Sequence, residues 1–294
     1  MDSPLVSVGL PIALAVIMFG LGLSLTVADF TRIARNPKTV AIALACQLVV
    51  LPIVAFGLVL LFDLPPILAV GMMLLASSPG GTTANLFSHL FRGDVALNVS
   101  LTAVNSIIAV VTVPLVTNFA IDYFDPDEGA GTVGLQFGKV VQVFAIVLVP
   151  VAIGMVVRRL WSGFADRMDR PVRIGSALTL ALVVVGTMVA ERDNLVDYAL
   201  DVGAVTTLFC LASLTAGYFL PRWLGVPDRQ AIACSMEVGI HNSTIAITIA
   251  ISVLDSTEMA VPAAVYGVLM FPLATAVGWL LTRGQPRPAL AETS

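Results

Sequence analysis

The residues in this chain with chemistry to offer are few, and they sit where they are expensive. Glu237, His241, Asn242 and Ser243 lie inside AIACSMEVGIHNSTIAITIAISVL, and Glu237 is the one carboxylate in the middle of an apolar run. At the centre of a bilayer a charged side chain costs about 2.5–3.5 kcal/mol on insertion scales, so it marks an ion or substrate path or pairs with a partner. Glu237 reads as part of such a site or as a structural carboxylate hydrogen-bonded to a neighbouring helix. His241 reads as a functional group or as a packed polar residue. A second polar cluster, SSPGGTTAN from Ser77 to Asn85, interrupts another apolar run. Pro79 has no N–H to donate, and Gly80 and Gly81 accept non-helical backbone. Irregular backbone at membrane depth is tolerated only where protein or water lines it. Asn85, Asn98, Thr102, Asn105 and Gln47 add polar groups that equally suit hydrogen bonds between helices.

The elements that must position these residues are transmembrane helices. Of 294 residues 58% are hydrophobic and 12% charged, with a mean hydropathy of +0.97. That is half the charge of an average soluble domain, and disorder needs the opposite composition. Apolar runs of about 20 residues recur along the chain, and the alternating strands of a membrane β-barrel are absent. Nine segments emerge, near 5–25, 39–62, 66–90, 95–121, 136–158, 173–190, 199–220, 228–254 and 260–282, the third and eighth interrupted. The expected fold is all-α and polytopic, a single membrane unit over 1–283 with a polar cytoplasmic tail over 284–294. Basic residues test the count: 13 of the 15 Lys and Arg fall on one side of a nine-span arrangement, and only Lys139 and Arg192 on the other. Since Lys and Arg mark cytoplasmic loops, the N-terminus is expected outside and the C-terminus in the cytoplasm, in a prokaryotic inner membrane.

Spans three and eight, like spans four and nine, are separated by five spans, an odd offset that inverts topology. Interrupted spans at matching places in an inverted repeat point to a transport site near the bilayer midplane. Other classes lack their signatures. No HExxH motif or paired acids suggest an enzyme, no nucleotide-binding loop a primary pump, and no basic stripe a nucleic-acid partner. Cys46, Cys210 and Cys234 are scattered through apolar stretches, and with His89 and His241 they form no metal or disulfide spacing. No organic cofactor and no obligate protein partner are implied.

At SSPGGTTANLFSHLFRGDVALNVSLT, at MEVGIHNS and at the opening IMFGLGLSLTVADF the chain resembles the bile acid:sodium symporter family, over about Pro11 to Arg283. The resemblance implies the nine-span form, with a core domain (spans near 66–121 and 199–282, with 39–62 contributing) and a panel domain (spans near 5–25 and 136–190). Spans three and eight would cross at their breaks, and core and panel would move to give alternating access. It further implies two sodium sites behind the crossing. Site one would use Asn85, Asn98, Thr102 and Glu237. Site two would use Gln47, Glu237, the carbonyls of Val238 and Ile240, and the position of His241. Relatives often carry Ser at the positions of Ala84 and Asn98, and usually Gln at that of His241.

Oxygen ligands suit a hard cation, and broken helices free carbonyls to supply them. Imidazole suits sodium less well than an amide oxygen, so site two is the doubtful one. The expectation is a sodium-coupled symporter of an organic anion, pantoate-like or bile-acid-like. The alternative is a proton-coupled or uncoupled transporter in which His241 replaces one sodium. Thr82, Thr83 and Asn242, with helix N-termini at the breaks, are the expected anion contacts. The His-Asn pair that meets substrate in some relatives corresponds to Met270 and Phe271, which favours a small or mixed apolar acid.

Overall fold

The computed structural model describes residues 35–126, 137–168 and 195–283, with isolated positions between 15 and 23 and between 171 and 178. The first and sixth expected spans and the polar tail lie largely or wholly outside the described residues. Among the described residues the secondary structure is helical, apart from one isolated β-bridge. Helix α1 covers Pro37–Leu61. Next come α2 (Pro66–Ser77), α3 (Thr82–Leu90), α4 (Val95–Phe124), α5 (Phe137–Leu160), α6 (Leu195–Trp223), α7 (Asp228–Gly239), α8 (Ser243–Ser252) and α9 (Val261–Thr282). Four described segments are long and apolar enough to cross a membrane, namely Pro37–Leu61, Val95–Phe124, Val202–Trp223 and Glu258–Thr282. Their outward faces carry large apolar side chains such as Ile53, Leu115 and Trp279, as a lipid-facing surface requires. The protein is a helical, multi-pass membrane protein.

Two elements depart from plain helix. α1 widens into a π-helical turn at Cys46–Val50. The cause is local: Pro52 has no N–H and its ring crowds the carbonyl four residues back. The Leu51 N–H reaches Cys46 instead, and such π-bulges cluster at functional sites. Gln47 sits in this turn. The second departure is the expected interruption of spans three and eight, which become α2 plus α3 and α7 plus α8. The first break is shorter than the nine polar residues suggested. Helix resumes at Thr82, because Gly81 takes an extended conformation at the N-cap and nothing from Thr82 to Asn85 forbids a turn.

The two breaks lie against each other. Gly80 and His241 form an antiparallel bridge, in which Gly81 N–H donates to the Ile240 carbonyl at 2.7 Å and Asn242 N–H to the Pro79 carbonyl at 2.8 Å. Each break thus spends its interrupted helical hydrogen bonds on the other. Had α7 continued, Asn242 N–H would have bonded to Val238, so that carbonyl is released. Buried backbone groups in lipid must be satisfied within the protein, and side chains complete the accounting. Ser77 and Ser78 hydroxyls return to the Leu74 and Leu75 carbonyls at 2.9 and 2.7 Å. Gln47 from α1 donates to the Ser78 carbonyl at 2.9 Å, and Tyr266 from α9 to the Gly239 carbonyl at 2.9 Å.

α4 starts at Asp94, whose side chain accepts from Leu97 N–H at 3.0 Å. The Asp94 N–H ties this start to the Arg229 carbonyl at 2.9 Å. That docking lays one face of α4 along α7. Away from the breaks, α5 meets the helical residues near Gly22 through glycines. A Cβ on Gly22 would strike the Val151 backbone, and one on Gly154 the backbone of Phe19.

Candidate functional site

Glu237, in the last turn of α7, is 2% exposed. Its carboxylate lies under the first break, so close to Gly80 that a β-carbon there would run into it. From α4, Thr102 donates to Glu237 Oε2 at 2.5 Å. Asn98, one turn earlier on the same face, donates through Nδ2 to the Ala233 carbonyl at 2.7 Å. Asn105, on the same face again, reaches the carboxylate with its amide. Asn85 lies in the first turn of α3.

Donors and acceptors do not balance here. The side-chain oxygens Asn85 Oδ1, Asn98 Oδ1, Asn105 Oδ1, Gln47 Oε1 and Glu237 Oε1 are all buried, and none has a hydrogen-bond partner. A buried oxygen left unpaired costs about 1–3 kcal/mol. Five of them lie on the segments gathered at one pair of breaks, an acceptor-rich set that a cation with oxygen preference would satisfy. Among the described residues no three His, Cys, Asp or Glu side chains gather as a transition-metal set. A donor set of amide oxygens and one carboxylate suits a hard ion.

Opposite the carboxylate, His241 is 1% exposed. Its Nε2 lies 3.3 Å from Gln47 Nε2 and its Nδ1 3.1 Å from Tyr266 Oη. The ring packs beside Phe209, with centroids 5.4 Å apart. The carbonyl of Ile240 already accepts from Gly81 but has a second lone pair, and Val238 is the residue whose carbonyl the break released.

The expected anion contacts lie at the helix starts. Asn242 is the N-cap of α8 and its Oδ1 accepts from Ile245 N–H at 3.2 Å, which leaves the Nδ2 group as its donor. Thr83 is half-buried in the first turn of α3. Thr82 opens that helix, and its side chain is outside the described residues. Helix starts carry partial positive charge and unpaired N–H groups, which favour an anion. Met270 is 2% exposed, and Phe271 stacks on Phe87 with centroids 6.0 Å apart.

The structure therefore gathers Asn98, Thr102 and Glu237 by direct contact or shared face, and brings Gln47 against His241. Two participants had no place in the expected sites. Asn105 was visible as a polar residue but assigned to no role, although its spacing of three and seven residues from Thr102 and Asn98 places it on their face. Tyr266 is the largest fully buried side chain among the described residues, and in sequence it is one aromatic in an apolar helix. For Asn105→Leu, which removes one buried oxygen from the site but not its charge, cation affinity should fall several-fold while the fold is retained. Titrating sodium against the melting temperature of the purified protein would measure this.

Comparison with known proteins agrees with this geometry. The sequence profile of the sodium bile acid symporter family matches residues 11–198. The uncharacterized sodium-dependent transporter YocS of Bacillus subtilis is 29% identical over 260 residues, covering 87% of this chain and 78% of YocS. The ileal sodium/bile acid cotransporter of Oryctolagus cuniculus is 28% identical over 248 residues, covering 84% of this chain and 70% of that protein. The probable sodium/metabolite cotransporter BASS1 of Arabidopsis thaliana chloroplasts is 27% identical over 280 residues, covering 94% and 67%. With more than half of its length matched by the family profile, and with two broken helices meeting at a buried carboxylate, the chain belongs to the sodium bile acid symporter family, a family of transporters.

Proposed function

We propose that the protein is a sodium-coupled symporter of an organic anion, working by alternating access. The observation that supports this reading is the set of five buried, unpartnered amide and carboxylate oxygens on the segments at the paired breaks, with the Ser243 hydroxyl at the second break also unpartnered. In this reading the first sodium binds Asn85, Asn98, Thr102 and Glu237, with Asn105 beside them. The second binds Gln47, Glu237 and the carbonyls of Val238 and Ile240, next to His241. Both ring nitrogens of His241 already have partners, which favours sodium over a protonated His241 as the second charge.

The substrate is a small or mixed apolar carboxylic acid, taken at the starts of α3 and α8 by Thr82, Thr83 and the Asn242 amide. No basic side chain belongs to this proposed set, so helix ends and bound sodium balance the anion's charge. That requirement is what couples ion to substrate. The remaining architecture follows the sequence: nine spans, an inverted repeat pairing α2–α4 with α7–α9, and core and panel domains. The N-terminus is outside, and the C-terminus is in the cytoplasm of a plasma membrane.

Uptake into proteoliposomes, with sodium or potassium gradients and a panel of organic acids, tests the function. Accumulation driven by sodium and not by potassium is the expected result; uptake indifferent to sodium would sink the proposal. Asn242→Ala should raise the KM for the anion about tenfold, the scale of a lost hydrogen bond to a charged group. The half-saturating sodium concentration should stay close to the parent's, and the same assay reads both constants.

A further inference from the structure

The surroundings of His241 assign it a definite role. Tyr266 Oη lies 2.9 Å from the Gly239 carbonyl and 3.1 Å from His241 Nδ1. The Gly239 carbonyl can only accept, and the Tyr266 hydroxyl is its nearer donor, the Cys210 sulfur lying 3.9 Å away. With its hydrogen on Gly239, the hydroxyl oxygen offers a lone pair to His241, and Nδ1 carries the imidazole hydrogen. In the neutral ring Nε2 is consequently an acceptor. It faces Gln47 Nε2 at 3.3 Å, and the other hydrogen of that amide goes to the Ser78 carbonyl at 2.9 Å. Both amide hydrogens are used. Reversing the amide would set Gln47 Oε1 against the Ser78 carbonyl, acceptor against acceptor. The amide orientation that pairs with the Ser78 carbonyl leaves Oε1 as the free end, buried and without a partner.

We infer that His241 is a positioning residue: relayed from Tyr266, its ring holds the Gln47 amide so that the oxygen, and not the nitrogen, is presented to the second cation. The inference rests on the sodium reading of the site. It makes His241 neither a cation ligand nor a proton carrier. Several elements pack on the ring, among them α2, whose Ala76 backbone lies within hydrogen-bonding reach of it. α1 brings Gln47, the first break the Ser78 carbonyl, α9 Tyr266, and α6 Phe209 together with Cys210, whose sulfur sits 3.9 Å from the Gly239 carbonyl. Glu237, the nearest carboxylate in sequence, lies one turn earlier on α7. A Gln at this position can donate to Tyr266 and accept from Gln47, which reproduces the relay. A Leu cannot.

The test is sodium-dependent stabilisation of the purified protein in detergent, with potassium as the ionic-strength control. Sodium-coupled uptake is measured beside it. His241→Leu should raise the half-saturating sodium concentration about tenfold, the lower end of what losing a ligand's supporting hydrogen bond costs. Tyr266→Phe should shift it in the same direction, and His241→Gln should bind sodium at least as tightly as the parent. The substrate KM at saturating sodium should not move in any of the three. Should His241→Leu fail to fold, Tyr266→Phe and His241→Gln still decide. Parent-like sodium affinity in Tyr266→Phe, or a loss shared equally by His241→Gln, would overturn the inference while the sodium reading stands. A parent protein that sodium does not stabilise more than potassium would overturn the sodium reading, and this inference with it.

Discussion

Glu237→Gln should abolish sodium-coupled uptake while leaving a folded protein. The replacement keeps shape and the hydrogen bond from Thr102, found at 2.5 Å, and removes one negative charge. In the proposed sites that charge faces two cations. At an effective dielectric constant of 20, a pair of unit charges about 4 Å apart interacts by about 4 kcal/mol. Losing one such interaction lowers ion affinity by about three orders of magnitude. Sodium should therefore no longer raise the melting temperature at any accessible concentration. In sodium-free buffer the variant should melt no lower than the parent, because a buried carboxylate without its cation is itself a cost. A variant that takes up substrate as the parent does would remove Glu237 from the mechanism.

Gly80→Ala should be nearly as damaging, by geometry instead of charge. A β-carbon at Gly80 meets the Glu237 carboxylate. That carboxylate is the end of a side chain held by Thr102, so making way for the β-carbon pulls against that hydrogen bond. The substitution should thus displace the charge without unfolding the helices, at an overpacking cost of about 1–3 kcal/mol. Sodium-driven uptake should fall at least tenfold. Gly81→Ala is the control next door: its β-carbon would find the His241 carbonyl at 3.3 Å and Thr83 Oγ1 at 3.4 Å, contacts a small shift relieves. Equal transport by the two variants would contradict the position of the carboxylate beneath the first break.

Much of this was legible in the residues. The interruption at SSPGG follows from a proline that cannot donate and glycines that tolerate the bend. Glu237 stands out because a lone carboxylate in an apolar run needs a reason. The spacing of Asn98 and Thr102 is one helical turn, so their common face is a property of the sequence. Other features needed the fold. Thr82 to Asn85 read as part of the break yet are helical, because an extended Gly81 suffices to start a new helix. The π-helical turn at Gln47 was foreshadowed only by Pro52, and prolines inside α4, α5 and α9 produce no such turn among the described residues.

The chain by itself determined that this is a helical membrane protein with two interrupted spans and one costly carboxylate. Those properties depend on local composition: apolar length, prolines and glycines, and the desolvation of a single charge. Partner choice was decided by the tertiary structure alone. His241 and Gln47 are 194 positions apart, and His241 and Tyr266 are 25 apart. No periodicity connects them. Hydrogen bonds have direction, so only when three helices and a break meet do the Ser78 carbonyl and the imidazole together face the glutamine's nitrogen and leave its oxygen unpartnered.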